Sequence, residues 1–290
     1  MRNNRICLAL AVAVLAGWGS SSANAENGNG MQQRHAWGRC APGAWKQVRV
    51  KTETLDEKGN VINTSITETL TTLEKVTDNS FTLRIDVAVD VAGKQFLAKP
   101  QLAKQGFLGE SEGQKTVVRR VGETGLTVGN RTIPCETREV VITGGDFRRR
   151  SLVYVSDAVS PFVIKRETTM TDAVGKVTNC ETQVEVVTLD MPYQVLTDTK
   201  NTVLLKTVHK QPQATSTTLE VHCDDVPGGV VAHTSHEVNE KGITTSRSTL
   251  ELIDFGKTSN ENDPNSAGRR RFLQRFRNRN ANQNERTTRD

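Results

Sequence analysis

Aromatic side chains are scarce in this chain: Phe, Trp and Tyr together make up 4% of its 290 residues. A sugar-processing cleft is normally floored by aromatic platforms, so this scarcity argues against a glycosidase. The nucleophile elbow GxSxG, the zinc-binding HExxH and the phosphate-cradling P-loop are missing. So is any CxxC spacing, which removes the usual signature of a zinc knuckle or a redox dithiol. Two carboxylate pairs, Asp86 with Asp90 and Glu181 with Glu185, have same-face spacing on a strand, but a solvated sheet surface has the same look. No nucleophile, base and orienting group can be named together. The expectation is a protein that is not an enzyme and carries no cofactor.

Charge is unevenly spread. The chain carries 38 Lys and Arg against 33 Asp and Glu, a formal +5. Residues 1–25 account for +2 and residues 268–290 for +6, which leaves the stretch between them at −3. The basic balance therefore describes the ends and not the body, and no nucleic-acid partner is expected.

The start carries an export pattern. Arg2 and Arg5 precede an apolar run from Cys7 to Ala16, and Ala23-Asn24-Ala25 supplies small residues for cleavage. That arrangement predicts a signal peptide over 1–25 and a periplasmic or extracellular destination. The run is about half the roughly 20 residues that a spanning helix needs, and no later stretch is long enough, so no membrane-spanning segment is expected. Cleavage removes Cys7 and leaves Cys40, Cys135, Cys180 and Cys223. An even set in an oxidising compartment predicts two disulfides, with the pairing left open.

After a Gly/Asn/Gln-rich leader, expected to be flexible over 26–36, apolar residues recur with period two. Phe81, Leu83, Ile85, Val87, Val89 and Val91 alternate with Thr82, Arg84, Asp86 and Asp90, the pattern of a strand buried on one face. Val48 and Val50 alternate in the same way with Gln47 and Arg49. Valine and threonine dominate, as suits a pleated surface. Further strands are expected near 80–92, 131–142, 148–155, 201–209 and 217–223, with looser segments near 93–123 and 190–200. The fold class is all-β: antiparallel meanders over 37–256 that form a curved sheet or partly closed barrel. Proline at strand entry is expected to guard sheet edges, with Pro42, Pro161 and Pro227 as the candidates.

Three segments share one plan of proline entry, strand, glycine turn and Thr-rich strand: 40–70, 156–187 and 223–252. Pro42, Pro161 and Pro227 open them, and Gly59, Gly175 and Gly242 turn them. Glycine supplies the positive φ that such turns need. This repeated plan resembles uncharacterised exported bacterial β-repeat proteins and, more distantly, the lipoprotein-carrier (LolA/LppX-like) superfamily of unclosed β-barrels. The resemblance implies a curved sheet whose concave side accepts an apolar ligand. The chain departs from that superfamily in its few aromatics and in having almost no helix expected to plug the barrel.

Four histidines, His209, His222, His233 and His236, fall within one stretch, but His233 and His236 are an odd number apart and face opposite sides of a strand. No metal site is expected. The segment 257–290 is Arg/Asn-rich and is expected to be disordered. Arg269, Arg270, Arg271, Arg275, Arg277 and Arg279 within it could contact anionic envelope components. Phe272, Leu273 and Phe276 give it one apolar edge. The leading expectation is an exported non-catalytic β-scaffold with a binding or envelope-associated role. The alternatives are a periplasmic carrier of a lipid or other apolar ligand in a half-barrel, and a hydrolase without a recognisable motif.

Overall fold

The computed structural model describes residues 29–145, 147–172, 177–257 and 272. Among them a short helix α1 (Asn29–Arg34) precedes fourteen strands. These are β1 (Trp45–Leu55), β2 (Val61–Val76), β3 (Ser80–Val91), β4 (Lys94–Leu97), β5 (Gln101–Gly106), β6 (Lys115–Val128) and β7 (Arg131–Gly144). They continue as β8 (Phe147–Val155), β9 (Val163–Asp172), β10 (Val177–Val195), β11 (Asp198–Lys210), β12 (Ala214–His222), β13 (Val230–Asn239) and β14 (Thr244–Gly256).

All fourteen belong to one antiparallel sheet in the order β4-β3-β2-β1-β14-β13-β12-β11-β10-β9-β8-β7-β6, with β5 beside β4 on the edge of β3. Every neighbouring pair in this order is consecutive in the chain except β1 and β14. Their ladder, with Val50 opposite Leu250, splices two meanders into one. Laid flat, such a sheet would be about 58 Å wide at ~4.8 Å per strand. Yet β5 and β6, at its opposite ends, are joined by residues 107–114 alone, a segment that spans at most about 29 Å. The sheet must therefore curl. Phe107 packs with Phe81 and Leu83 at one end while Leu108 packs against Val140 and Ile142 at the other. Among the described residues no ladder joins the two edges, so the result is an unclosed half-barrel.

The alternation places each core. Val87, Ile85, Leu83 and Phe81 point to the concave side, where Trp37 and Phe107 complete their cluster. The distal end of the β6–β7 hairpin folds over the concavity and packs Val128, Ile133 and Cys135 on Ile164, Val184, Val186 and Leu205. The three repeated segments are the hairpins β1–β2, β9–β10 and β13–β14. In two of them the turns match closely. Asp56 Oδ1 accepts from the amides of Lys58 and Asn60 at 2.9 and 2.8 Å, and Asn239 Oδ1 accepts from those of Lys241 and Ile243 at 3.0 Å. Gly59 and Gly242 follow at φ +82° and +75°. Gly175 lies outside the described residues.

Several expectations need correction. The leader is helical over Asn29–Arg34, and His35 and Trp37, which follow, are among the most buried residues. A chain segment so close to the concave face loses its freedom to the aromatic cluster that it completes. The segments expected to be loose hold β4, β5, most of β6 and the tight β10–β11 hairpin. Pro42, Pro161 and Pro227 do open β1, β9 and β13, but each of these strands is paired on both sides. The true edges are β4, β5 and β6, and β6 carries exposed charge at Lys115, Arg119 and Arg120. The tail is not wholly free of the body. Phe272 is 1% exposed and packs on Trp45, Leu70 and Ala88 on the convex face. The six arginines from Arg269 to Arg279, and residues 1–25, lie outside the described residues.

Candidate functional site

A cleft of about 470 Å3 opens on the concave side between the leader, the β8–β9 loop, the β10–β11 hairpin and the β12–β13 loop. Its floor is apolar: Phe162, Val163, Leu189, Val203 and Leu205. The strand register explains how the floor meets the rim. One cross-strand row runs Val50, Leu250, His233, Glu220, Leu205 and Val186 over β1, β14, β13, β12, β11 and β10. In the next row Val203 stands opposite His222 at the cleft's edge.

The rim is ionic. Arg34 stacks over the Phe162 ring at 4.3 Å and pairs with Asp157 at 2.7 Å. Arg39 pairs with Asp224 at 2.7 Å, and the Ser160 hydroxyl donates to the same carboxylate. Arg131, at the tip of the folded-over hairpin, pairs with Asp190 at 2.8 Å, and Asn201 donates to Asp190 at 2.9 Å. Burial works to raise the Asp224 carboxyl, but the bonds from Arg39 and Ser160 outweigh it and hold the group below the usual range. Asp225 is held low by its hydrogen bond from Lys257, with Lys200 adding to it against some burial.

The β12–β13 loop is shaped by Pro227-Gly228-Gly229. Gly228 and Gly229 have φ of +70° and +77°, and a Cβ on Gly228 would stand 2.6 Å from the Trp37 indole. Only glycine admits both the conformation and the approach. The Gly228 amide donates to Ala36 O at 3.3 Å and so ties the leader to the loop.

Beneath the leader lies a buried group of ionisable side chains. Lys46 is in phase with Val48 and Val50, its Nζ is 3.5 Å from Val230 O, and it faces the Trp37 ring at 5.8 Å. Burial pushes its pKa down to about 8, opposed by the nearby Glu220. His222 Nε2 donates to Glu220 Oε2 at 3.0 Å. His233, beside Ser248 at 3.3 Å, is lowered by burial against the pull of Glu220.

The structure scatters most residues that the sequence singled out. His209 hydrogen-bonds Thr182 at 2.8 Å, away from the cleft, and His236 sits opposite Thr217, out of phase with His233. Among the described residues no three His, Cys, Asp or Glu converge as a metal site would require. Asp86 pairs with Arg84 at 3.1 Å while Asp90 accepts from the Gly93 amide at 3.1 Å. Glu181 and Glu185 face Lys210 and Lys206 at 4.0 and 3.8 Å. The expected disulfides are not formed: Cys40, Cys135, Cys180 and Cys223 are all free thiols. An even count speaks to parity, whereas a bridge needs Cα atoms within about 7 Å. Cys135 and Cys180 sit on β7 and β10, and Cys223 follows β12. The cleft arginines escaped the sequence reading because they come from two segments far apart in the chain, the leader and the β6–β7 tip. The Pro-Gly-Gly step at 227–229 was the one local sign.

No protein-family model and no curated protein matches the chain. Among solved structures, it is similar to a protein described as exported, with a YmcC-like fold, from Bacteroides fragilis NCTC 9343. That likeness has 12% identity and a TM-score of 0.30, over 75% of this chain and 97% of the other. It is also similar to a protein described as a lipoprotein from Parabacteroides distasonis ATCC 8503, at 9% identity and a TM-score of 0.31, over 74% and 96%. No helix among the described residues is long and apolar enough to cross a membrane.

Proposed function

We propose that the chain is an exported, non-catalytic β-scaffold that holds a small amphiphilic molecule in the cleft of its half-barrel. One observation carries this reading: a cleft of about 470 Å3 with an apolar floor framed by charged side chains. Small-molecule sites are commonly about 300–1,000 Å3 and combine an apolar lining with a few fixed polar groups. Export is supported by the basic start, the short apolar run and the Ala23-Asn24-Ala25 step. The Arg-rich composition of the tail supports an added contact with anionic envelope components.

Native mass spectrometry of the full mature protein, recovered from its own periplasm, tests the reading. A co-purifying mass is expected on the wild-type protein and not on Leu205→Trp, whose indole would fill the floor. Overpacking of this kind costs about 1–3 kcal/mol, so far-UV circular dichroism must first show that the variant is folded. Wild-type protein without any bound mass, or a mass kept by Leu205→Trp, would contradict the cleft as the site.

A further inference from the structure

The cleft's charges suit one kind of head group, an inference that rests on the binding reading just given. Three cations, Arg34, Arg39 and Arg131, and three anions, Asp190, Asp224 and Asp225, line it together. They come from the leader, the β6–β7 tip, β10 and the β12–β13 loop, so the balance is built by the tertiary fold and not by a local run. Two of the arginines are neutralised within the cleft itself, Arg39 by Asp224 and Arg131 by Asp190 at 2.7 and 2.8 Å. A rim of this kind has no net field to gather anions. A purely anionic head would sit against the carboxylates as well as the guanidinia, and like-charge contacts cost affinity.

We infer that the cleft takes a single-chain zwitterionic lipid, with its acyl chain on the apolar floor and its head bridging the rim. The head's anion replaces a carboxylate on a guanidinium, and its cation faces the carboxylate released. This exchange is cheap at Arg131–Asp190, whose side chains are 55% and 63% accessible, since exposed ion pairs contribute about 0–1 kcal/mol. An uncharged head would leave the pairs intact and gain nothing from them. Specificity then lies in the alternation of sign around the rim.

The test titrates three probes of one chain length, below their micelle concentrations, into the full mature protein: lysophosphatidylcholine, lysophosphatidylglycerol and monoacylglycerol. Isothermal calorimetry reads the affinities for the wild-type protein, Asp190→Asn and Leu205→Trp. The wild-type protein is expected to bind the zwitterionic probe about tenfold more tightly than either other. Asp190→Asn leaves Arg131 without its carboxylate and should shift the preference to the anionic probe. Asp190 has φ +54°, a conformation that asparagine also tolerates, so this variant is expected to keep its fold. Equal affinity for all three probes, lost in Leu205→Trp, would overturn the head-group inference while sparing the cleft. Binding that Leu205→Trp leaves unchanged would overturn both. No binding of any probe would overturn the inference and leave the cleft to the co-purification result.

Discussion

Between pH 8 and 10.5 the wild-type protein should gain about 3 kcal/mol of stability that Lys46→Met does not gain. Lys46 lies on the concave face among Trp37, Val230 and Glu220, and burial lowers its pKa from the ordinary 10.5 to about 8. Within that window the unfolded chain holds a proton that the folded chain has released, so stability rises with pH. The contribution is fully present above 10.5 and is lost as pH falls through 8. Methionine has nearly the same length and no charge. Urea unfolding of both proteins at half-unit steps from pH 7.5 to 10.5 isolates the effect, because the thiols and tyrosines common to both cancel in the difference. A difference that stays flat with pH would mean that the ammonium is hydrated, and that the leader does not seal the concave face.

Trp37→Ala should cost about 4 kcal/mol if the leader stays docked. Trp37 is 2% exposed and shares a cluster with Leu73, Phe81, Leu83, Ile85, Val87 and Phe107. Truncation removes the ring that packs against Gly228 and faces Lys46. The rest of the leader is held by the His35 ring, buried against Phe81 and Phe107 at 4.6 and 5.2 Å, by the pairs Arg34–Asp157 and Arg39–Asp224, and by one amide bond from Gly228. Detachment of the leader is therefore the cheaper response once the loss exceeds what those contacts supply. The expected result is rapid trypsin cleavage after Arg34 and Arg39 in the variant, with the sheet still folded by circular dichroism. Unchanged cleavage kinetics would contradict the leader's role as the cover of the concave face.

Legibility of this chain follows the range of the forces involved. The strand from Ser80 to Val91 was readable because six apolar residues in phase need nothing beyond a neighbouring strand to be buried. The turns at Asp56–Gly59 and Asn239–Gly242 were readable because their hydrogen bonds are local. The β1–β14 ladder was not: it joins residues some two hundred positions apart, and the alternation of Val48 and Val50 is the same whichever strand lies beside it. Lys46 follows the phase of Val48 and Val50, so its position was in the pattern, but its residue type reads as surface. Trp45 and Gln47 follow the outward phase, yet both are buried, Trp45 beneath Phe272 from a tail that composition alone assigns to solvent. The cleft was the least legible feature. Its arginines sit at positions 34, 39 and 131, on the leader and a hairpin tip, and only the curl of the sheet brings them to one rim.

Hydrogen–deuterium exchange of the full mature protein, with and without lysophosphatidylcholine below its micelle concentration, addresses the concave-face site most directly. Slower exchange is expected in peptides covering 158–163, 201–205 and 222–229, with β4 and β5 unchanged. Protection over the exposed apolar residues Phe96, Leu97 and Leu102 of β4 and β5, with none around the cleft, would place the lipid on the sheet's edge and contradict a binding site within the half-barrel.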